Sequence, residues 1–176
     1  MYKLKPLTID DLMILNIIYL ELEKIIIKSA YQNIFPPQGG NHGIRTGVTK
    51  QKEARQAPFG VIKFRGKEQM SCHSKKYPHI DELLRDFMDN HNPEFEYTMV
   101  YINKNAVCQP HRDIGNQKDS IIVGLGPYTG GETCIELSDG SYKEFDISTN
   151  SLQFDGTQLK HYNKEFTGVR YSLVFV

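Results

Sequence analysis

The chain has 176 residues, of which 39% are hydrophobic and 24% charged, and equal numbers of basic and acidic side chains give it zero net charge. This length and composition predict one globular domain. A membrane span is excluded because no apolar run approaches the roughly 20 residues that one needs. The first residues lack an apolar segment followed by a small-residue cleavage site, so we predict that the protein is not secreted.

The cysteines and the distribution of charge give evidence on the cellular compartment and on possible binding partners. Cys72, Cys108 and Cys134 are odd in number and widely spaced, which argues against a disulfide framework and for a reducing intracellular compartment, cytoplasmic or nuclear. Residues 45–76 contain nine Lys and Arg against two acids, whereas residues 77–176 contain eight against fifteen. The basic segment fits either a solvated surface or a surface that binds polyanions such as nucleic acid.

The first predicted element is a helix from Thr8 to about Ala30. Thr8 is a suitable N-cap, and the two acids after it suit the positive end of a helix dipole. Apolar residues recur along it at three- and four-residue steps: Leu12, Leu15, Ile18, Tyr19, Leu22, Ile25 and Ile26. We expect this stripe to pack on a sheet, and the alternative is a surface for a partner helix.

A loop, a strand and a second helix follow. The chain breakers in residues 35–43 predict a loop, and the basic residues 45–57 fit a strand followed by a mobile loop. Residues 58–65 are typical of a strand that ends in a glycine turn. A second helix is predicted over residues 78–88, because Pro78 suits a first helical turn and another proline lies just beyond the end.

From residue 95 onward, short strands alternate with turns. The predicted strands cover residues 96–103, 107–112, 120–125, 132–137, 142–147, 151–154 and 169–176. Asp139-Gly140, between two of them, is typical of a tight hairpin. Seven short strands at regular spacing predict an α+β, mainly β fold, a jelly roll with N-terminal helices packed on one sheet. We therefore expect a single domain, with a helical and basic part at 1–94 and the β-core at 95–176.

Two histidines and an aspartate in the β-rich half are candidate metal ligands. His111 and Asp113 are two residues apart, so their side chains share a face of an extended chain. His161 follows 50 residues later, after the turn Asp155-Gly156. Two histidines and one carboxylate leave coordination positions open, as in non-haem Fe(II) oxygenases, whereas structural zinc sites are closed by four ligands.

Arg170 and Ser172 are two residues apart on the predicted last strand and share a face. A buried arginine is costly without an anion, so an interior Arg170 implies a carboxylate partner held by a bidentate pair. The alternative is an outward Arg170 in a surface pair, because Tyr171, Leu173 and Phe175 also qualify for the inner face.

The ordered set of His-x-Asp, a Gly-Gly hairpin, a later His and a final Arg-x-Ser resembles the Fe(II)/2-oxoglutarate-dependent dioxygenase superfamily. The resemblance covers residues 95–176 and implies a double-stranded β-helix. It implies that Fe(II) is bound by His111, Asp113 and His161, and that Arg170 pairs with the distal carboxylate of 2-oxoglutarate beside Ser172. It also implies that residues on the strand before His-x-Asp contact the co-substrate, and Tyr101 and Asn103 are the candidates. The alternative for Tyr101 is ordinary strand packing, and the alternative for Asn103 is a position in a turn.

The activity implied is hydroxylation of a substrate C–H bond by O₂, with decarboxylation of 2-oxoglutarate to succinate. Gly-Leu-Gly-Pro-Tyr-Thr-Gly-Gly-Glu at 124–132 and Gly-Val-Arg-Tyr-Ser-Leu-Val-Phe at 168–175 resemble the base-J-type and ten-eleven-translocation-type nucleobase hydroxylases and their viral and algal relatives. The cysteine-rich region of the animal enzymes is missing. AlkB-type enzymes carry a second arginine on the final strand, and the end at Val176 leads us to expect a different branch.

A nucleobase in DNA or RNA is therefore the predicted substrate, presented single-stranded or flipped out of the stack. The basic segment at 45–76 would contact the nucleic-acid backbone. His42, Arg45, Lys63 and Arg65 are the predicted substrate-binding residues, with plain solubility as their alternative role. A prolyl or other protein side-chain hydroxylase, a small-molecule hydroxylase and a non-enzymatic jelly-roll binding module are the alternative functions.

Two other motifs give weaker predictions. His111-Arg112-Asp113 spells a protein-kinase catalytic loop, but the asparagine that such a loop needs is Lys118 here and no Asp-Phe-Gly follows. Cys108 and His111 could begin a zinc site with Cys134 and His161. That set would place Cys134 in the middle of a strand and leave Arg170 without a role.

Overall fold

The computed structural model describes residues 1–25, 27 and 54–176. The helices in these ranges are α1 (Ile9–Glu23), α2 (Cys72–Lys76) and α3 (Pro78–His91). The strands are β1 (Tyr2–Pro6), β2 (Arg55–Phe64), β3 (Lys67–Met70), β4 (Met99–Lys104), β5 (Ser120–Leu125), β6 (Tyr128–Gly130), β7 (Thr133–Glu136), β8 (Tyr142–Phe145), β9 (Asn150–Phe154), β10 (His161–Asn163), β11 (Phe166–Gly168) and β12 (Tyr171–Phe175). None of the helices in the described ranges is both long and apolar enough to cross a membrane.

Antiparallel strands form a large sheet with the order β1-β9-β5-β12-β4-β2-β3. A second sheet has the order β10-β7-β8, and β11 pairs with β6. In its second half the chain passes back and forth between the sheets. Strand β5 lies in the large sheet, β7 and β8 in the second sheet, β9 in the large sheet again and β10 in the second. The predicted α+β, mainly β jelly roll is confirmed.

Helix α1 begins at a capping box. The hydroxyl of Thr8 accepts a hydrogen bond from the main-chain N–H of Asp11 at 3.1 Å, and the Asp11 carboxylate accepts one from the N–H of Thr8 at 2.9 Å. These bonds satisfy two donors that every helix N-terminus leaves free. The predicted start is correct, but the predicted end at about Ala30 is wrong, because the helix ends at Glu23 with Lys24 as its C-cap.

The main core lies between α1, α3 and one face of the large sheet. Helix α1 contributes Leu15, Ile18 and Leu22, and α3 contributes Ile80, Leu84, Phe87 and Met88. The sheet contributes alternate residues, among them Val100, Ile102, Ile121, Val123, Tyr171, Leu173 and Phe175. Because strand side chains alternate between faces, the residues between them on β4, β5 and β12 point to the opposite face, into the space between the sheets.

Several strand predictions need correction. Residues 107–112 do not form a strand; their only ladder contact in the described chain is the isolated bridge of His111 with His161. Strands β1, β3, β6, β10 and β11 were not predicted. Of these, β6, β10 and β11 have only three residues each, which is too short for an alternating pattern to be recognised. The hairpin at Asp139-Gly140 is correct: Gly140 has a φ of +82° and its N–H donates to Leu137 O at 2.9 Å.

Candidate active site

His111 and His161 are paired through their main chains. The N–H of His111 donates to the carbonyl of His161 at 3.0 Å, and the N–H of His161 donates back at 2.9 Å. Residues paired in this way project their side chains to the same side. The two imidazole centroids therefore lie 4.4 Å apart although 50 positions separate them in the chain.

Asp113 completes the cluster. Its main-chain N–H donates to the carbonyl of Gly156 at 2.8 Å. Its Oδ1 lies 3.5 Å from Nε2 of His111, and its Oδ2 lies 3.5 Å from Nε2 of His161. One ligand atom from each of the three residues falls within 4.8 Å of the others, so the three side chains can bind a single ion.

Each histidine ring is oriented by a main-chain carbonyl. Nδ1 of His111 lies 2.6 Å from Gln109 O, and Nδ1 of His161 lies 2.9 Å from Leu159 O. A carbonyl can only accept, so a neutral ring carries its proton on Nδ1 and leaves the Nε2 lone pair facing Asp113. Metal-binding histidines in proteins are commonly oriented in this way.

The two rings differ in their tendency to bind a proton. Burial by itself lowers the pKa of His111, but hydrogen bonds to Asp113 and to the Gln109 carbonyl outweigh it and raise that pKa. For His161, burial dominates over the attraction of Asp113 and lowers the pKa. The lowered pKa of His161 favours its neutral form, the form in which imidazole binds a metal.

Gly156 is a residue of the cluster that sequence analysis did not identify. A Cβ on Gly156 would stand 2.5 Å from Oδ2 of Asp113 and 3.3 Å from Cε1 of His161. Any side chain there would displace the carboxylate. The signal in the sequence was Asp155-Gly156, which predicted only a turn.

Arg170 is buried in the interior, with 2% of its surface exposed. One Nη donates to the carbonyl of Gly131 at 3.0 Å, and the guanidinium lies 5.5 Å from the ring centre of Tyr128 and 5.9 Å from that of Phe166. Its Nε has no hydrogen-bond partner within the described ranges. Burial lowers the pKa of Arg170, the effect expected of a cation short of anionic partners.

Three further buried polar atoms of the described chain also lack partners, the hydroxyls of Tyr97, Tyr128 and Thr133. Of these, the Tyr128 hydroxyl belongs to the ring beside the Arg170 guanidinium. Glycines make room beside this group: a Cβ on Gly124 would stand 2.1 Å from the Tyr128 hydroxyl, and one on Gly131 would stand 2.7 Å from Nε of Arg170. Buried polar atoms are nearly always paired, so unpaired atoms next to an interior cation indicate room for an anionic ligand.

The large sheet brings the other predicted co-substrate residues onto the interior face. Ser172 is paired in register with Asn103, whose Nδ2 donates to the Ser172 hydroxyl at 3.4 Å. The amide of Gln56, which was not predicted, donates to Asn103 Oδ1 at 3.0 Å. Tyr101 lies two residues before Asn103 on β4 and therefore faces the same side. The outward alternative for Arg170 is wrong, because Tyr171 and its alternating neighbours pack against the helices.

The structure describes two of the four predicted substrate-binding residues. Lys63 is exposed on β2 and Arg65 is exposed in the β2–β3 turn, where its guanidinium lies 5.2 Å from the ring centre of Phe64. His42 and Arg45 fall outside the described residues. The zinc set is not assembled: among the described side chains, the group of ligand atoms around His111 and His161 includes neither Cys108 nor Cys134.

A cleft of about 520 Å³ opens beside the cluster. It is lined by His111, Arg112, Asp113, Ile114, Gly115, Asn116, Thr157 and Lys160. Two of the three candidate metal ligands therefore contribute to its wall, and a molecule bound in it would lie next to them.

No protein-family model matches the chain, and no curated protein matches it. Several solved structures match the chain. A prolyl hydroxylase from Trichoplax adhaerens in complex with a hypoxia inducible factor peptide matches 99% of this chain and 81% of its own, with a TM-score of 0.58 and 14% identity. NgTET1 in complex with 5mC DNA matches 99% and 71%, with a TM-score of 0.56 and 16% identity.

A 2OG-Fe(II) oxygenase family protein from Burkholderia pseudomallei matches 69% of this chain and 65% of its own, with a TM-score of 0.50 and 17% identity. At these identities the likeness concerns the fold. The double-stranded β-helix predicted from the order of the sequence motifs is confirmed: the chain has the fold of the Fe(II)/2-oxoglutarate oxygenases.

Proposed function

We propose that the protein is an Fe(II)/2-oxoglutarate-dependent dioxygenase that hydroxylates a C–H bond of its substrate. The observation that carries the proposal is the cluster of His111, Asp113 and His161, whose ligand atoms lie within 4.8 Å of one another on this fold. Two histidines and one carboxylate with open positions are the ligand set of non-haem Fe(II) oxygenases.

The three residues would hold Fe(II) through Nε2 of each histidine and the carboxylate of Asp113. When bound, the metal couples oxidation of the substrate C–H bond by O₂ to conversion of 2-oxoglutarate into succinate and CO₂. The chain itself keeps the two rings oriented through the carbonyls of Gln109 and Leu159. It also keeps space for the carboxylate through the missing side chain of Gly156.

Arg170 would bind the distal carboxylate of 2-oxoglutarate. Its buried guanidinium has an unpartnered Nε in the described structure, and the unpartnered hydroxyl of Tyr128 belongs to a ring directly beside it. An incoming carboxylate would satisfy both donors and compensate the buried charge. We assign Ser172, Asn103 and Tyr101 to the surrounding wall on the same face of the sheet.

We propose a nucleobase in DNA or RNA as the substrate. The basic composition of residues 45–76 supports this choice, and so does the fold shared with NgTET1, whose structure contains 5mC DNA. Lys63 and Arg65 are exposed and available for backbone contacts. A protein side-chain hydroxylase is the second candidate, because the fold is equally similar to a prolyl hydroxylase bound to a peptide.

The test is anaerobic addition of Fe(II) and 2-oxoglutarate, then O₂, with succinate measured in the presence of oligonucleotides or peptides. We expect His111→Ala and Asp113→Ala to abolish succinate formation. His79→Ala, which removes an exposed histidine from α3, is the matched control and should retain it. Undiminished turnover in the first two variants would exclude the cluster, and no turnover by the unaltered chain with any substrate would favour a binding module.

A further inference from the structure

The cleft beside the metal cluster carries two cations that the proposed reaction does not use. Arg112 lies between the ligands His111 and Asp113 in the chain, and Lys160 directly precedes the ligand His161. Both side chains line the cleft. Among the residues that the structure describes, Asp113 is the only acid in its wall, and the metal would offset its charge.

The environment of each cation leaves it available to a ligand. Nε of Arg112 donates to the carbonyl of Gln158 at 3.0 Å, which anchors the guanidinium while its two Nη groups stay outside that bond. The main chain of Lys160 is held by a hydrogen bond from Glu136 N to its carbonyl at 2.9 Å. In the part of the chain that the structure describes, neither cation has a carboxylate within ion-pair distance.

Two other acids near these segments in sequence, Asp155 and Asp119, have hydrogen-bond partners of their own. The Asp155 carboxylate accepts hydrogen bonds from the N–H and the hydroxyl of Thr157 at 2.9 and 2.6 Å. The Asp119 carboxylate accepts one from Gln153 at 3.0 Å. Neither acid lines the cleft. The wall next to the metal ligands therefore favours a negatively charged group.

We propose that Arg112 and Lys160 bind a backbone phosphate of a nucleic-acid substrate and so place the adjoining nucleotide at the metal ligands. This inference rests on the proposed function and assigns its substrate-binding residues. Arginine presents a fork of donors that matches phosphate, and lysine adds a point charge.

The size and lining of the cleft suit a nucleotide. About 520 Å³ lies within the range of small-molecule sites. Ile114, 69% exposed on the same wall, offers an apolar surface to a base or sugar. Asn116 and Thr157 add polar groups.

The experiment measures binding rather than turnover. Fluorescence anisotropy of a labelled single-stranded 12-nucleotide DNA is recorded with the full chain, Mn(II) and 2-oxoglutarate over a KCl series. Each phosphate contact contributes about 0.7 to the slope of log K against log[KCl] for a single strand. We expect Arg112→Gln and Lys160→Gln each to reduce the slope, and the double variant, which removes both contacts to the phosphate, to reduce it by about that amount. Lys3→Gln, an exposed lysine on β1 outside the cleft, should leave the slope unchanged.

Unchanged slopes in both cleft variants, or no binding of the oligonucleotide by the unaltered chain, would overturn the inference. A glutamate-rich peptide that binds more tightly than the DNA and depends on the same two cations would also overturn it, in favour of an acidic protein substrate. Calorimetric titration with Mn(II) and 2-oxoglutarate tests the proposed function separately. Absence of that binding would refute the dioxygenase proposal, whereas the salt slopes would still decide the phosphate contacts.

Discussion

Gly156 and Asp113 are in direct contact at the centre of the candidate metal site. The carbonyl of Gly156 accepts the main-chain N–H of Asp113 at 2.8 Å, and a Cβ on Gly156 would stand 2.5 Å from the Asp113 carboxylate. The same turn thus holds the ligand's main chain and leaves its side chain room. A hydrogen atom is the only side chain compatible with both.

We expect Gly156→Ala to weaken metal binding by about 10- to 100-fold, the range seen when groups that orient metal ligands are altered. Mn(II) or Fe(II) titration under anaerobic conditions measures the change. The matched control is Gly66→Ala, where a Cβ would meet no atom of the described residues within 4 Å. That variant should retain metal affinity, although its φ of +77° will cost stability. Equal affinities for Gly156→Ala and the unaltered chain would contradict the prediction.

Arg170→Met should separate co-substrate binding from folding. Because Arg170 is a buried charge with an unpartnered Nε among the described residues, replacing it with an apolar chain of similar length should not destabilise the ligand-free protein. The variant should bind 2-oxoglutarate roughly 10- to 100-fold more weakly, as expected for loss of charge-assisted hydrogen bonds.

The measurement is thermal unfolding with Mn(II), with and without 2-oxoglutarate. At one ligand concentration, 2-oxoglutarate should raise the Tm of the unaltered chain and of Arg85→Met, an exposed arginine on α3, by more than that of Arg170→Met. The same ligand-induced increase in Arg170→Met would remove this residue from the co-substrate site.

Asp11 and His91 connect helix α1, helix α3 and strand β9 away from the candidate site. The Asp11 carboxylate is fully buried and lies 2.7 Å from Nδ1 of His91, and Nε2 of the same ring lies 2.6 Å from the Ser151 hydroxyl. Asn90 donates to the carboxylate at 2.8 Å. Burial raises the pKa of Asp11, but the bonds from Thr8, His91 and Asn90 together outweigh it and hold that pKa below its ordinary value.

A carboxyl group whose pKa is lowered by folding stabilises the protein fully above its unfolded-state pKa of about 4. That stabilisation is lost as the pH falls through the lower, folded-state pKa. We expect Asp11→Asn to reduce the free energy of unfolding by about 1–3 kcal/mol at pH 7, with a smaller deficit near pH 3. Urea unfolding at both pH values measures it. Asp10→Asn, an exposed acid in the same helical turn, is the control, and equal deficits for the two variants would contradict this assignment.

Much of the site was predictable because its rules act over a few residues. Alternation along an extended chain places Arg170 and Ser172 on one face, and a threonine followed three residues later by an acid predicts the start of α1. The regular spacing of short strands predicted a jelly roll, and the family resemblance of His-x-Asp, later His and final Arg-x-Ser implied the fold that the solved structures share. These predictions do not depend on which residues pack against the residues concerned.

Other features depend on contacts between residues far apart in the chain. Alternation alone could not say which face of β12 is interior; α1 and α3 decide it by burying Tyr171, Leu173 and Phe175. The segment at 107–112 was predicted as a strand, but only His111 pairs, and it pairs with a residue 50 positions away. The space that Gly156 leaves for Asp113, and the burial of Arg170 with its Nε unpartnered among the described residues, arise only when distant segments pack together. The sequence by itself therefore determined which side chains could form the site, and the tertiary structure decided which of them do, because ligand geometry and burial are properties of non-local packing.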